Sequence, residues 1–164
     1  MWFFMNTCYF FTALSFVMLI LSGLQGHFRF LIFNANHATF ALLTVIIYLF
    51  TETLIIFFFV GMGVSIRDYA QEKHLDPKFH RGSLEIKRRV YPPLLLNMAL
   101  VMTLFISGGA VDTGHLPGML HGILFYICIV HFIKTIKIEH ACFKKNTSIV
   151  LEMSGMKHQS QMIT

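Results

Sequence analysis

The chain has 164 residues, of which 55% are apolar and 13% charged, and a formal net charge of +5. Soluble domains carry about a quarter charged residues, and 18 Phe exceed what a soluble core of this size buries. The basic residues flank apolar runs, so the positive charge points to membrane topology and away from nucleic acid. Three cysteines, Cys8, Cys128 and Cys142, are an odd number at unrelated spacings with no CxxC, which argues against a disulfide framework or a thiolate zinc site.

In chain order, the first apolar run is residues 2–23, WFFMNTCYFFTALSFVMLILSG, long enough to cross a bilayer. A cleaved signal is the alternative, but the run has no basic front end; an upstream extension is another, because NANHATF already reads as a helix entrance. Residues 1–24 are read as a first spanning helix and 25–37 as an outer loop. Three further runs span at about 38–64, 91–111 and 117–137. Pro92 and Pro93 are expected in an opening turn, where proline is tolerated. An open sheet cannot span lipid and the runs show no period-two alternation. The expected fold is therefore an all-α, polytopic helical bundle of four transmembrane helices, or three if the first run is removed or mis-started.

Between the second and third spans, the loop 65–90 reads as two helical pieces, with Asp76-Pro77 as a stop and a fresh N-cap with proline at N1. Residues 138–164 read as an amphipathic extension to Gly155 and a frayed end, KHQSQMIT. Of 13 Lys and Arg, seven lie between Arg67 and Arg89, five from Lys134 onward, and Arg29 stands apart. The positive-inside rule puts the 65–90 loop and the C-terminus in the cytoplasm. The link VDTGHLPG lies on the other side, as expected of a bacterial cytoplasmic-membrane protein.

Glu52 sits inside the second run, where a charge costs about 2.5–3.5 kcal/mol or more unless it faces protein. At about 100° per residue, Tyr48, Thr44 and His37 fall on its side of the helix. Leu43, Ile46, Ile47, Phe50, Leu54, Phe57 and Phe58 fall on the opposite, lipid side. The last run carries a weaker stripe of His121, Cys128, His131 and Thr135, and the third run puts Asn97 and Gly108 on one face. Counting about 1.5 Å per residue, Glu52 lies at the midplane, with Asn97 and His131 nearer the cytoplasm and His121 farther out. His37, Asp112 and His115 cluster at the outer interface. The result is a discontinuous polar column in which Glu52 is the one carboxyl inside the apolar runs. His74, His80, His140 and His158 read as solvated cytoplasmic residues.

Three chemistries fit these residue types. Glu52, Tyr48, His121, His131 and Asn97 suit a quinone contact or proton handling. A bis-histidine haem b needs two imidazoles at one depth; His37 and His121 are about 10 Å apart in depth on these boundaries, which counts against it. His37, His115, Met119 and His121 suit copper through imidazole and thioether. The bland alternatives are a protonated Glu52 acting as helix glue and histidines that only pack.

No nucleophile–base pair or phosphate loop is present, so an enzyme in its own right is not expected. The leading expectation is an accessory or anchor subunit of a membrane redox assembly, with a quinone or haem pocket and other membrane subunits or copies of itself as partners. The rivals are a proton-coupled homo-oligomeric transporter or channel using Glu52, and a cofactor-free assembly factor.

Overall fold

A computed structural model describes residues 2–155, so the frayed end expected from Lys157 lies outside the described residues. It contains four helices: α1 (Trp2–Phe28), α2 (His37–Glu72), α3 (Lys78–Asp112) and α4 (Gly118–Met153). All four are long and apolar enough to cross a membrane. The only pairing outside helices among the described residues is an isolated bridge between Ile32 and Ala35. The chain is an all-α membrane bundle whose outer surface contacts lipid. Side chains such as Phe3, Phe10, Phe57 and Ile106 project from that surface.

Short links force consecutive helices to run antiparallel. Accordingly α1 packs on α2, α2 on α3 and α3 on α4. Side chains close the ring between α1 and α4: Tyr9 meets Phe143 at 5.1 Å between ring centres and Phe16 meets Phe132 at 6.2 Å. A 36-residue helix is about 54 Å long, well beyond the roughly 30 Å hydrocarbon layer. The helices therefore project at one end, which carries most of the Lys and Arg; we call it the basic end. His37 and His121, at the starts of α2 and α4, mark the histidine end.

Each helix buries a stripe at heptad-like spacing, the pattern of bundles with shallow crossing angles. On α1 the stripe is Met5, Cys8, Thr12, Ser15, Leu19, Ser22 and Gln25. Its small and polar members permit close approach, as in other membrane bundles. On α3 it is Phe79, Ser83, Ile86, Val90, Leu94, Asn97, Val101 and Leu104. Apolar residues form two separate cores. One, toward the basic end, gathers Ile55, Phe58, Phe59, Val90, Leu94 and Phe143. The other, toward the histidine end, gathers Leu19, Tyr48, Val101, Leu104 and Phe132. Buried polar residues of all four helices accompany them: Ser15, Thr51, Glu52, Asn97, Thr135 and Glu139.

Three local expectations change. Pro92 and Pro93 lie within one continuous α3, not in an opening turn. They remove the bonds to the carbonyls of Arg88 and Arg89, and both arginines are exposed, so water or headgroups satisfy those carbonyls and the helix continues. Pro77 is the N-cap of α3 itself and not its first helical residue; the Asp76 carboxylate accepts from the Lys78 amide at 2.8 Å. Phe58 turns inward, 4% exposed, because α1 and α4 bring Phe4 and Phe143 onto it at 5.9 and 5.0 Å.

Candidate functional site

At the histidine end a partly open cavity of about 1030 Å³ is lined by residues of all four helices, among them Gln25, His37, Gly108, Asp112, His121 and Gly122. Asn36 starts α2 by accepting the Thr39 amide on its side chain at 2.9 Å, which fixes His37 in the first turn. The link before it is held over the cavity by Gln25, whose Nε2 donates to the Ala35 carbonyl at 2.8 Å. Gln25 is fully buried and its Oε1 has no hydrogen-bond partner.

His37 and His121 face each other with ring centres 6.4 Å apart and planes inclined by 75°. The about 10 Å depth mismatch expected from counting residues is therefore absent. The expected starts, about 38 and 117, lie within one residue of those observed, so it is the depth assigned to each helix by counting along the membrane normal, and not its bounds, that differs. Each ring rests against a glycine. A Cβ at Gly26 would come within 3.0 Å of His37, and one at Gly108 within 3.3 Å of His121.

The tautomer of His121 follows from its partner. Ser107 has one hydroxyl hydrogen, which it donates to the Leu104 carbonyl at 2.7 Å. Toward His121 Nδ1, 2.8 Å away, the same hydroxyl therefore accepts, so Nδ1 carries the proton and Nε2 of the neutral ring keeps its lone pair. A second-shell acceptor on one ring nitrogen is the arrangement that prepares the other to ligate. His37 Nδ1 is buried without a partner. Asp112 and His37 both act electrostatically on His121.

Deeper in the bundle lies a second polar group. Asn97 Nδ2 donates to Glu52 Oε1 at 2.8 Å, and His131 Nδ1 makes a short hydrogen bond to Asn97 Oδ1. Since Asn97 uses its amide hydrogen on Glu52, its oxygen accepts and His131 donates. Glu52 is completely buried, as expected from its stripe, and its Oε2 lacks a partner. Tyr48 is the other polar neighbour of this carboxyl. Beside Glu52 a layer hydrogen bond joins Ser15 on α1 to Thr51 on α2 at 2.8 Å.

The expected residues thus divide into sets. His37 and His121 meet at the cavity. Glu52, Asn97, His131 and Tyr48 meet in the core, with Asn97 at the level of Glu52 and not nearer the basic end. His115 stands apart, exposed and bonded to Thr113 at 2.9 Å, and Met119 is 78% exposed, so neither joins the histidine pair. Among the described residues no group of three or more His, Cys, Asp or Glu is placed to hold a metal ion. His140 is exposed but bonds Tyr9 at 2.9 Å, and His80 is half-buried.

Glu139 was missed by the sequence argument. It is 2% exposed, its Oε1 has no partner, and it acts electrostatically on Glu52; the carboxyl of Glu52 is not alone. Extending the Cys128–Thr135 stripe would have found it, since Glu139 and Asn146 lie within about 20° of Cys128 on the same helix face. Placing the end of the last span near residue 137 hid that continuation. Compared with family models, with curated proteins and with solved structures, the chain matches none.

Proposed function

We propose that the chain is a membrane-embedded redox subunit whose cavity at the histidine end would hold a haem b through His37 and His121, the haem supplying one-electron transfer. The observation that carries this reading is the 6.4 Å separation of the facing imidazoles. Two imidazoles brought together across a cavity would hold a haem between them, as that group needs two such rings at one depth. A haem brings four of its own nitrogens and asks the protein for axial ligands only, which suits a pair of histidines without a third ligand nearby. The free lone pair on His121 Nε2 and the glycines behind both rings support the same assignment. A site with one such group passes electrons between neighbours, so other membrane subunits are the expected partners. On this reading the basic end, rich in Lys and Arg, faces the cytoplasm of a bacterial cell by the positive-inside rule, and the cavity opens near the outer face.

The test is an absorption spectrum of the full-length protein, purified in mild detergent from cells supplied with haem. A Soret band that shifts on reduction is expected, and His37→Ala and His121→Ala should each abolish it while the protein remains folded by circular dichroism. Absence of the band in the unaltered protein, with a bound quinone found by mass spectrometry, would reassign the cavity to a quinone. A second reading, a proton-coupled transporter, is favoured by one observation, a second buried carboxyl, Glu139, in the same bundle. Under it, Glu52→Gln abolishes transport in vesicles while the chain stays free of any chromophore.

A further inference from the structure

We infer that the groove between the start of α1 and the far part of α4 is a site for one anionic phospholipid of the surrounding bilayer. Lys144 and His140 would hold its phosphate, and an acyl chain would lie along Trp2 and Met5. The inference is independent of the haem assignment, because the histidine cavity lies at the other end of the bundle and shares no lining residue with this groove.

The groove has a volume of about 580 Å³. Its α1 wall is Trp2, Met5 and Tyr9, at i, i+3 and i+7, and its α4 wall is led by His140, Lys144 and Thr147, at i, i+4 and i+7, so each set lies on one helix face. Two contacts hold the walls in register. The Tyr9 hydroxyl and His140 Nδ1 are 2.9 Å apart, and the Thr147 hydroxyl donates to the Met5 sulfur at 3.9 Å. The first contact leaves Nε2 of the exposed His140 ring for an incoming group.

The two walls differ in chemistry. The α1 side is apolar and continues outward into lipid-facing rings, with Phe3 85% and Phe10 63% exposed. The α4 side is cationic. Lys144 is exposed and belongs to none of the ion pairs among the described residues. Lys137, one heptad earlier on the same face, is exposed and unpaired in the same way. Among the described residues no Asp or Glu lines the groove; Glu139, which acts electrostatically on Tyr9, is buried and outside the lining. A soluble anion would leave the apolar wall uncovered, and a zwitterionic lipid would bring a cation of its own toward Lys144. An amphipathic anion satisfies both walls.

The groove also lies at the depth where such a ligand is found. His140 is 22 residues from Gly118 at the start of α4, about 33 Å, against roughly 30 Å for the hydrocarbon layer. The groove therefore begins where headgroups begin. Trp and Tyr concentrate at that level, and basic pockets between helices there bind anionic headgroups.

Trp2 is the only tryptophan of the chain and lines the groove, so its fluorescence reports what lies there. The test reconstitutes the full chain in phosphatidylcholine bilayers containing a small fraction of lipid brominated on its acyl chains, either phosphatidylglycerol or phosphatidylcholine. Brominated phosphatidylglycerol should quench Trp2 as though enriched about fivefold over its bulk fraction, what one basic residue contributes at an anionic surface. Lys144→Gln should abolish this preference. Lys73→Gln, the same loss of charge at the end of α2, should leave it intact. Equal quenching by the two lipids in the unaltered protein would overturn the site without any variant, so misfolding of a variant does not protect the idea. An equal loss with Lys73→Gln would assign the preference to the general field of the basic end and refute it. Disappearance of the preference on adding inorganic phosphate at constant ionic strength would give Lys144 to a soluble anion and also refute it. A bound haem would quench Trp2 alike in both lipids, so the haem spectrum is read separately.

Discussion

Asn97 is the residue on which two other helices depend at once, since its amide donates to Glu52 on α2 and its carbonyl oxygen accepts from His131 on α4. It is 1% exposed, so water cannot replace either bond at low cost. Leaving a buried polar group without its partner costs about 1–3 kcal/mol, and Asn97→Leu does this to two groups. The variant should therefore unfold at a clearly lower temperature than the parent in the same detergent, whereas Thr103→Val, on an exposed face, should not. An unchanged midpoint for Asn97→Leu would mean that the three side chains do not act as one group. The type of this site was legible because Glu52 is an ionisable residue in an apolar run and its neighbours at helical spacing are polar. Its connectivity was not legible: which amide reaches the carboxyl depends on helix tilt and start, and one turn of uncertainty exceeds the length of a hydrogen bond.

At the scale of elements, two glycines separate a tolerant contact from an intolerant one. A Cβ on Gly63 would overlap the end of the Lys87 side chain and approach Ser83 Oγ to 2.9 Å, whereas one on Gly23 would overlap the Phe125 ring. Lysine ends swing aside easily. The phenyl ring is packed where α1 meets α4, so it moves only if the helices part. Replacing glycine by alanine within a helix gains about 1 kcal/mol from propensity, and overpacking a core costs about 1–3 kcal/mol. Gly63→Ala should thus be neutral or slightly stabilising in a thermal melt, and Gly23→Ala destabilising by up to about 2 kcal/mol net; the reverse order would show that the α1–α4 contact contributes little. Hydropathy marked where these helices pass through lipid, but not where they stop. The charged turns beyond Gly63 on α2 and beyond Lys137 on α4 stay helical because each packs on α3 and buries one face there, Ile66 and Ala70 on α2 and Cys142, Phe143 and Asn146 on α4, and that support is a tertiary effect.

For the molecule as a whole, the asymmetry of charge decides orientation. Lys78 pairs with Glu152 at 3.0 Å and Lys145 with Glu85 at 2.7 Å, clasping the projecting parts of α3 and α4. Exposed pairs of this kind contribute about 0–1 kcal/mol each, so they align the helices more than they stabilise them. They also leave most of the Lys and Arg at that end uncompensated, including Arg81, Lys87, Arg88 and Arg89. Short connections with such an excess are retained in the cytoplasm during insertion, while the link at residues 113–117 contains no Lys or Arg and offers no resistance to crossing. A reporter active only in the cytoplasm should therefore work when inserted at residues 73–77 or fused after residue 155, and fail when inserted at residues 113–117. A reporter active only outside should give the opposite pattern. If the pattern were inverted, the histidine cavity would open toward the cytoplasm, and electron partners would have to be sought on that side. In the predicted orientation the cavity lies near the outer face, and Glu52 lies 15 residues beyond His37 along α2, about 22 Å toward the cytoplasm.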